Sequence, residues 1–223
     1  MDHIAVLASG GLDSCVLIGD LSRTAEVTPI HVSMGLVWEQ AELAALEKFL
    51  RAVAHPNIRP LVKLSMPVQS LYGSHWSVTG RGVPPIGTPD EDVYLPGRNI
   101  LLFSLVGIWC SMHNVTTMAI GSLSCNPFPD GTRDFFNSFP AIVGMGLNHP
   151  LRVIAPYRGK EKIELISRFS DLPLELTLTC LTPVNGGHCG ECSKCGERQE
   201  AFQDARISDP TEYHHTLRHS SHR

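Results

Sequence analysis

The chain has 223 residues, of which 43% are hydrophobic and 18% are charged, and its formal net charge is −4. This composition is typical of a globular protein and excludes an intrinsically disordered chain. The small negative charge argues against non-specific nucleic-acid binding as the main activity. We find no secretory signal pattern and no apolar run that would span a bilayer. We therefore expect a cytoplasmic protein with reduced cysteines and no membrane partner.

The first third of the chain alternates between the two kinds of secondary structure. Apolar, β-branched runs predict strands at His3–Ala8, Val27–Ser33 and Ile58–Leu64. Between them, apolar residues at helical spacing predict helices at Ser14–Leu21 and Glu39–Val53. This alternation favours a parallel sheet covered by helices.

The same rhythm returns after residue 98. Asn99–His113 is an apolar helix that we expect to be buried in the core. Strands are predicted at Val115–Gly121 and Arg152–Ala155, and helices at Arg133–Met145 and Lys160–Phe169.

Two segments depart from this rhythm. Met66–Pro96 is rich in Gly and Pro, and a loop of this length is often functional, although a surface excursion or a dimer contact has the same composition. The histidine-containing residues 214–223 predict a disordered tail. We therefore expect one α/β domain over residues 1–213, with a metal-binding region at residues 180–198.

A short motif, LASGGLDSC, follows the first predicted strand. Gly10 and Gly11 allow a tight turn whose backbone N–H groups, together with a helix N-terminus, bind an anion. Ser9 and Ser14 can donate to phosphate oxygens, and Asp13 can hold Mg²⁺ or cap the helix. The lysine of G-x-x-x-x-G-K-S/T is absent. The residues alone also allow a plain strand-to-helix turn, but S-G-G-x-D-S resembles the PP-loop of ATP pyrophosphatases, which adenylate a substrate.

Four cysteines near the C-terminus have the spacing of a metal site: Cys180, Cys189, Cys192 and Cys195. Four soft ligands in a chain with reduced cysteines suit a tetrahedral, structural zinc ion. The same spacing can hold an iron–sulfur cluster. A redox dithiol is a weaker alternative, because the strand-to-helix setting of such motifs is missing.

Three charged residues lie next to predicted elements. Arg98 precedes the apolar helix in YLPGRNILL, where it can bind phosphate or carboxylate. Asp130, in NPFPDGTRDFF, follows a strand, as ligand-contacting loops of α/β sheets do. Lys160, in APYRGKEKIEL, stands at a helix start and can neutralise a polyphosphate. The alternatives are an exposed loop charge, an Asp-Gly turn and a solvated helix face.

These motifs occur in an order that resembles the 7-cyano-7-deazaguanine synthase family of queuosine biosynthesis. The resemblance runs from Val6 to about Pro210 and includes LTLTC followed by CGECSKCGERQEAF. It implies a Rossmann-like adenine nucleotide α-hydrolase fold, with helices on both faces of the sheet, a small C-terminal zinc knuckle and a homodimer. It also implies that 7-carboxy-7-deazaguanine is adenylated with ATP, aminated by ammonia to the amide, activated again and dehydrated to the nitrile.

The resemblance assigns residues to these tasks. ATP with Mg²⁺ would be held by Ala8, Ser9, Gly10, Gly11, Leu12, Asp13, Ser14, Cys15, Val16, Leu17 and Ile18. The catalytic candidates are Asp13, Arg98, Asp130 and Lys160, and the ligands of a structural zinc are Cys180, Cys189, Cys192 and Cys195.

The chain departs from the family pattern where a substrate or the adenine would be recognised. Ser33–Trp38 replaces a polar Asp-Tyr-Gly-Gln-Arg-His-like stretch, Gly131 replaces the cysteine of a Pro-Asp-Cys turn, and the excursion LYGSHWSVTGRGVPP is unusual. Two alternatives remain open at this stage. One is a relative that adenylates another carboxylate or modifies a protein or RNA, and the other is a nucleotide-binding protein without catalysis.

Overall fold

The computed structural model describes residues 1–124 and 126–215, so Cys125 and residues 216–223 of the predicted tail lie outside the described part. Five parallel strands form one sheet in the order β3-β2-β1-β4-β5. The strands are β1 (His3–Leu7), β2 (Glu26–Ser33), β3 (Val62–Ser65), β4 (Thr117–Ala119) and β5 (Arg152–Ile154). The predicted α/β class is confirmed.

The described helices connect and cover these strands. They are α1 (Leu12–Leu21), α2 (Glu39–Val53), α3 (Gln69–Tyr72), α4 (Trp76–Thr79), α5 (Arg98–Met112), α6 (Arg133–Leu147), α7 (Lys162–Arg168) and α8 (Ser193–Ala205). Helix α8 has no counterpart in the sequence prediction, because its polar surface and cysteines hide the helical period. None of the helices in the described ranges has the length and apolar character to cross a membrane.

The sheet is buried on both faces. Alternate residues of β1 point to opposite sides, so Ala5 and Leu7 join one apolar layer, and Ile4 and Val6 join the other. Helices α5 and α6 cover the first layer, and helices α1, α2 and α7 cover the second. Burial on both faces explains why the strands are continuous apolar runs.

Helix α5 differs from the prediction of a fully buried helix. Val106 and Cys110 are buried, but Ile108 is 45% exposed and Met112 is 75% exposed. The helix packs on the sheet with one face and beside α6 with another, which leaves a third, apolar face uncovered. Sequence periodicity could not separate these faces, because nearly every position is apolar.

The Met66–Pro96 segment is ordered and packs against the cysteine region. It contains α3, α4 and a 3₁₀ turn at Asp90–Val93. Its backbone pairs with the cysteine region, since Ile86 N donates to Glu191 O at 3.0 Å and Ser193 N donates to Pro84 O at 3.0 Å. At its other end, Met66 N donates to Ser33 O of β2 at 2.8 Å, so the segment is anchored at both the sheet and the cysteine region.

The first two residues of the predicted tail contact the cysteine region. The backbone N–H groups of His214 and His215 donate to the carbonyls of His188 and Cys189 at 2.8 and 2.9 Å.

Candidate active site

A cavity lies at the carboxyl ends of β1, β2 and β4. After β1 the chain moves outward to β2 and β3, then returns to the other side of β1 to form β4 and β5. Such a switch point leaves a crevice at the carboxyl edge of the sheet, where α/β proteins bind ligands. The cavity has a volume of about 320 Å³, within the usual range for small-molecule sites.

The SGGLDS loop between β1 and α1 forms the floor of this cavity. Ser14 Oγ accepts from the backbone N–H groups of Ser9 and Gly10, both at 3.3 Å, and Ser9 Oγ accepts from Gly11 N at 3.1 Å. The loop thus directs its amides towards oxygen atoms at the N-terminus of α1, where the helix dipole adds positive potential. Backbone amides at a helix N-terminus can bind phosphate, and a phosphate oxygen bound here would replace the serine hydroxyl oxygens as the acceptor.

Two glycines allow the loop to pack closely. Gly10 has a φ of +103°, and a Cβ at this position would lie 2.2 Å from the carbonyl oxygen of Glu42. A Cβ at Gly121, after β4, would lie 2.9 Å from the carbonyl of Asp13. Both positions therefore exclude a side chain.

Only part of the predicted ATP-binding stretch faces the cavity. The residues of this stretch that line the cavity are Ala8, Ser9, Gly11, Leu12, Asp13 and Ser14. Gly10 does not line the cavity and packs against the carbonyl of Glu42. The predicted contacts of Cys15, Val16, Leu17 and Ile18 are not supported, because these side chains are fully buried in the second apolar layer. They are the buried face of the first helical turns.

Asp13 lies beside a lysine that the sequence analysis did not select. Lys162 Nζ is 4.0 Å from Asp13 Oδ2 and 3.5 Å from Glu197 Oε2. Burial raises the pKa of the Asp13 carboxyl, and the Lys162 ammonium opposes this shift. Asp13 Oδ1 is buried and has no hydrogen-bond partner among the described residues. A buried carboxylate oxygen without a partner suits a divalent cation.

Lys160 does not reach the cavity. Its ammonium pairs with Glu164 at 2.9 Å, and both side chains are nearly half exposed. Helix α7 begins two residues later than predicted, because Glu161 and Glu164 form a capping box. The E-x-x-E spacing in GKEKIEL is the sequence pattern that indicates this capping box. It places Lys162 at the first position of the helix.

Arg98 and Asp130 both line the cavity, as predicted. Asp130 is 5% exposed and accepts from the backbone N–H of Asn99 at 3.0 Å, so it also caps α5. Burial raises the pKa of the Asp130 carboxyl. Arg98 Nε is buried and has no partner among the described residues. A guanidinium held this way is placed to bind an anionic group of a ligand.

Two titratable residues from β2 and α2 also line the cavity. His31 is 3% exposed, and its Nδ1–H donates to the carbonyl of Ala8 at 3.0 Å, so Nε2 is an acceptor at the cavity. Burial lowers the pKa of His31 and raises the pKa of Glu42 to about 8. A histidine near the carboxyl end of an apolar strand was the available signal for His31.

Two stacked aromatic pairs complete the lining. Trp38 and Trp76 have ring centroids 5.6 Å apart, and Tyr94 and Phe128 have centroids 4.8 Å apart. Each pair joins residues that are far apart in the sequence, which is why sequence analysis missed them. They provide flat apolar surfaces in the same cavity as the SGGLDS loop, and such surfaces suit planar ring systems.

The four predicted metal ligands form one buried cluster. The Sγ atoms of Cys180, Cys189, Cys192 and Cys195 all lie within 4.8 Å of one another. Cys189 and Cys195 are 3.8 Å apart, and Cys180 and Cys192 are 3.9 Å apart. A tetrahedral ion with sulfur ligands at about 2.3 Å has edges of about 3.8 Å. The cluster therefore has the geometry to hold a metal ion.

The cysteine cluster is connected to the SGGLDS loop by hydrogen bonds. Leu178 N donates to Gly10 O at 2.9 Å, and Leu12 N donates to Thr179 Oγ1 at 3.4 Å. Thr179 N in turn donates to His188 Nε2 at 3.0 Å. The residues just before Cys180 thus support the loop from the side of the cluster.

Comparisons with known proteins agree with this geometry. Residues 3–206 match the family described as "Queuosine biosynthesis protein QueC". The chain belongs to this family. It is 28% identical to the 7-cyano-7-deazaguanine synthase of Methanothrix thermoacetophila, over 96% of this chain and 100% of the relative. It is 29% identical to 7-cyano-7-deazaguanine synthase 1 of Desulfitobacterium hafniense, over 91% and 92% of the two chains.

A solved structure shares the fold of this QueC family member. It is a predicted subunit of a tRNA methyltransferase from Methanocaldococcus jannaschii, with a TM-score of 0.53 and 13% identity over 95% of this chain and 94% of that chain. At this identity the likeness concerns the fold alone.

Proposed function

We propose that this protein is an ATP-dependent 7-cyano-7-deazaguanine synthase that supplies a queuosine precursor. The observation that carries the proposal is the position of the SGGLDS loop, which lines one cavity together with Arg98 in a member of this family. Lys162 lies 4.0 Å from the Asp13 carboxylate of this loop. A carboxylate is a poor electrophile until one of its oxygens becomes part of a leaving group, so the cavity must hold a nucleotide beside the acceptor.

The reaction has two activation steps. A carboxylate oxygen of 7-carboxy-7-deazaguanine attacks the α-phosphorus of ATP, and pyrophosphate leaves with the electron pair of the broken P–O bond. Ammonia then displaces AMP and loses a proton, which gives the amide. A second ATP activates the amide oxygen in the same way, and loss of AMP and of the remaining N–H protons forms the nitrile.

The chain's own residues serve these steps by binding and orientation. The loop amides and Lys162 hold the phosphates, and Arg98 binds the anionic end of the acceptor. Mg²⁺ would be held by Asp13, whose unpartnered Oδ1 fits a divalent cation, and would supply charge neutralisation on the phosphates. The stacked aromatic pairs hold the planar rings.

We propose zinc as the ion of the cysteine cluster. Four cysteine Sγ atoms that all lie within 4.8 Å of one another suit one Zn²⁺, and four protein ligands leave no position for a substrate. The zinc therefore stabilises the fold locally and takes no part in the chemistry. The need for reduced thiolates supports a cytoplasmic location.

We also propose that the protein forms a homodimer through the uncovered apolar face of α5 and α6. Ile100, Ile108 and Met112 lie along one side of α5, and Ile142 and Met145 lie on α6, all exposed. Apolar side chains grouped in this way are typical of an interface between protein surfaces. Sedimentation analysis should give a dimer, and Ile108→Glu should give monomers that keep their bound metal.

The test of the activity is mass spectrometry of a reaction with the protein, ATP, Mg²⁺, ammonium and 7-carboxy-7-deazaguanine. We expect the nitrile and AMP. Asp13→Asn, which has nearly the same shape without the charge, should produce neither. Absence of the nitrile from folded, metal-loaded protein that binds ATP would contradict the proposal and would indicate another acceptor.

A further inference from the structure

Lys194 comes from the metal-binding region but faces the nucleotide cavity. It stands between Cys192 and Cys195 at the start of α8, and its side chain lines the cavity. Its ammonium pairs with Glu197, one turn later, and lies 4.0 Å from Asp90 Oδ1. A cation in the first turn of a helix opposes the helix dipole, so this position requires anionic partners.

Lys194 belongs to a row of alternating charges. Glu197 contacts Lys194 with Oε1 and lies 3.5 Å from Lys162 with Oε2, and Lys162 lies 4.0 Å from Asp13. The row therefore runs from the phosphate-binding loop to the metal-binding region. The Glu197 carboxylate lies between the two ammonium groups, so an oligophosphate bound in its place would meet a positive charge from each lysine.

We propose that Lys194 binds the β- and γ-phosphates of ATP and the pyrophosphate formed from them. The inference rests on the proposed function for the identity of the nucleotide. Lys162, beside Asp13, binds the phosphate nearest the loop. Lys194 binds the phosphates that lie farther from the loop. On binding, the phosphates take over the contact that Lys194 makes with Glu197. A monophosphate such as AMP is too short to use both lysines.

Calorimetric binding of three probes to metal-loaded protein tests this proposal. With Mg²⁺ present, Lys194→Met should weaken the binding of pyrophosphate and ATP at least tenfold and change the binding of AMP less than twofold. Lys194→Arg, which keeps the positive charge, should recover most of the affinity. Lys63→Met is the matched control, because Lys63 also pairs with a carboxylate, Glu47, but lies on β3 outside the cavity.

A second measurement needs no variant and so does not depend on how Lys194→Met folds. Acetylation of lysines in the wild-type protein, followed by peptide mass spectrometry, reports which ammonium groups a probe covers. Pyrophosphate should protect Lys194 several-fold, AMP should not, and Lys63 should be unaffected by either.

Three outcomes would overturn the proposal: unchanged pyrophosphate binding by Lys194→Met, an equal loss for AMP, or no protection of Lys194 by pyrophosphate. The acceptor is absent from both experiments. A protein that shows the expected pattern but forms no nitrile would therefore contradict the proposed function and leave the role of Lys194 intact.

Discussion

Lys162→Met should remove most of the activity, whereas Lys160→Met should not. The two lysines are two residues apart, but only Lys162 lies next to Asp13, with a side chain that is 14% exposed. The Lys162 ammonium and a phosphate oxygen bound about 4 Å away would interact by about 4 kcal/mol when the effective dielectric constant is about 20. If desolvation cancels about a third to a half of this, about 2–3 kcal/mol of transition-state stabilisation is lost.

This loss corresponds to a decrease of about 30- to 150-fold in kcat/KM for ATP. For Lys160→Met the loss is the exposed pair with Glu164 on the surface of α7. Such a pair contributes about 0.3–0.5 kcal/mol to stability, so activity should stay within about twofold. The assay is the rate of AMP release with saturating acceptor, measured by chromatography. An inactive Lys160→Met beside an active Lys162→Met would refute the assignment.

The other predictions concern pH and metal. Burial raises the pKa of Glu42 from 4.5 to about 8, so the folded state keeps a proton that the unfolded chain releases, and stability falls as pH rises between these values. Urea unfolding of Glu42→Gln should therefore show a smaller loss between about pH 5 and about pH 9 than the wild type; an equal loss would contradict this explanation. Removal of the metal with a chelator should weaken ATP binding at least severalfold, because Leu178 and Thr179 support the loop. Calorimetry before and after chelation would detect it, and unchanged affinity would mean that these contacts do not depend on the metal.

Short stretches of sequence predicted the features whose geometry depends mainly on neighbouring residues. Glu39–Val53 was predicted with the observed bounds, because its apolar face repeats at helical spacing between charged residues. The SGGLDS loop lies at the cavity and the four cysteines form one cluster, because in each case a short stretch supplies most of the geometry. The start of α7 was wrong by two residues, which was enough to select Lys160 in place of Lys162.

The remainder of the site depends on contacts between distant segments. Trp76 reaches Trp38 only because the Met66–Pro96 segment folds back over the sheet, and no periodicity in that segment encodes the contact. His31 becomes a cavity residue because β2 ends beside β1, and Ala8 then fixes its orientation. Lys194 belongs by sequence to a metal motif and by position to the nucleotide cavity.

The shared support of loop and metal has a thermodynamic consequence. Thr179 is hydrogen-bonded to the first turn of α1 and directly precedes Cys180, so one short segment belongs to both the proposed nucleotide site and the proposed metal site. Linkage is reciprocal: if the metal tightens nucleotide binding by some factor, the nucleotide tightens metal binding by the same factor. The nucleotide-bound protein should therefore release its metal to a competing chelator more slowly than the nucleotide-free protein. When the ion is scarce, the nucleotide-free molecules would lose it first.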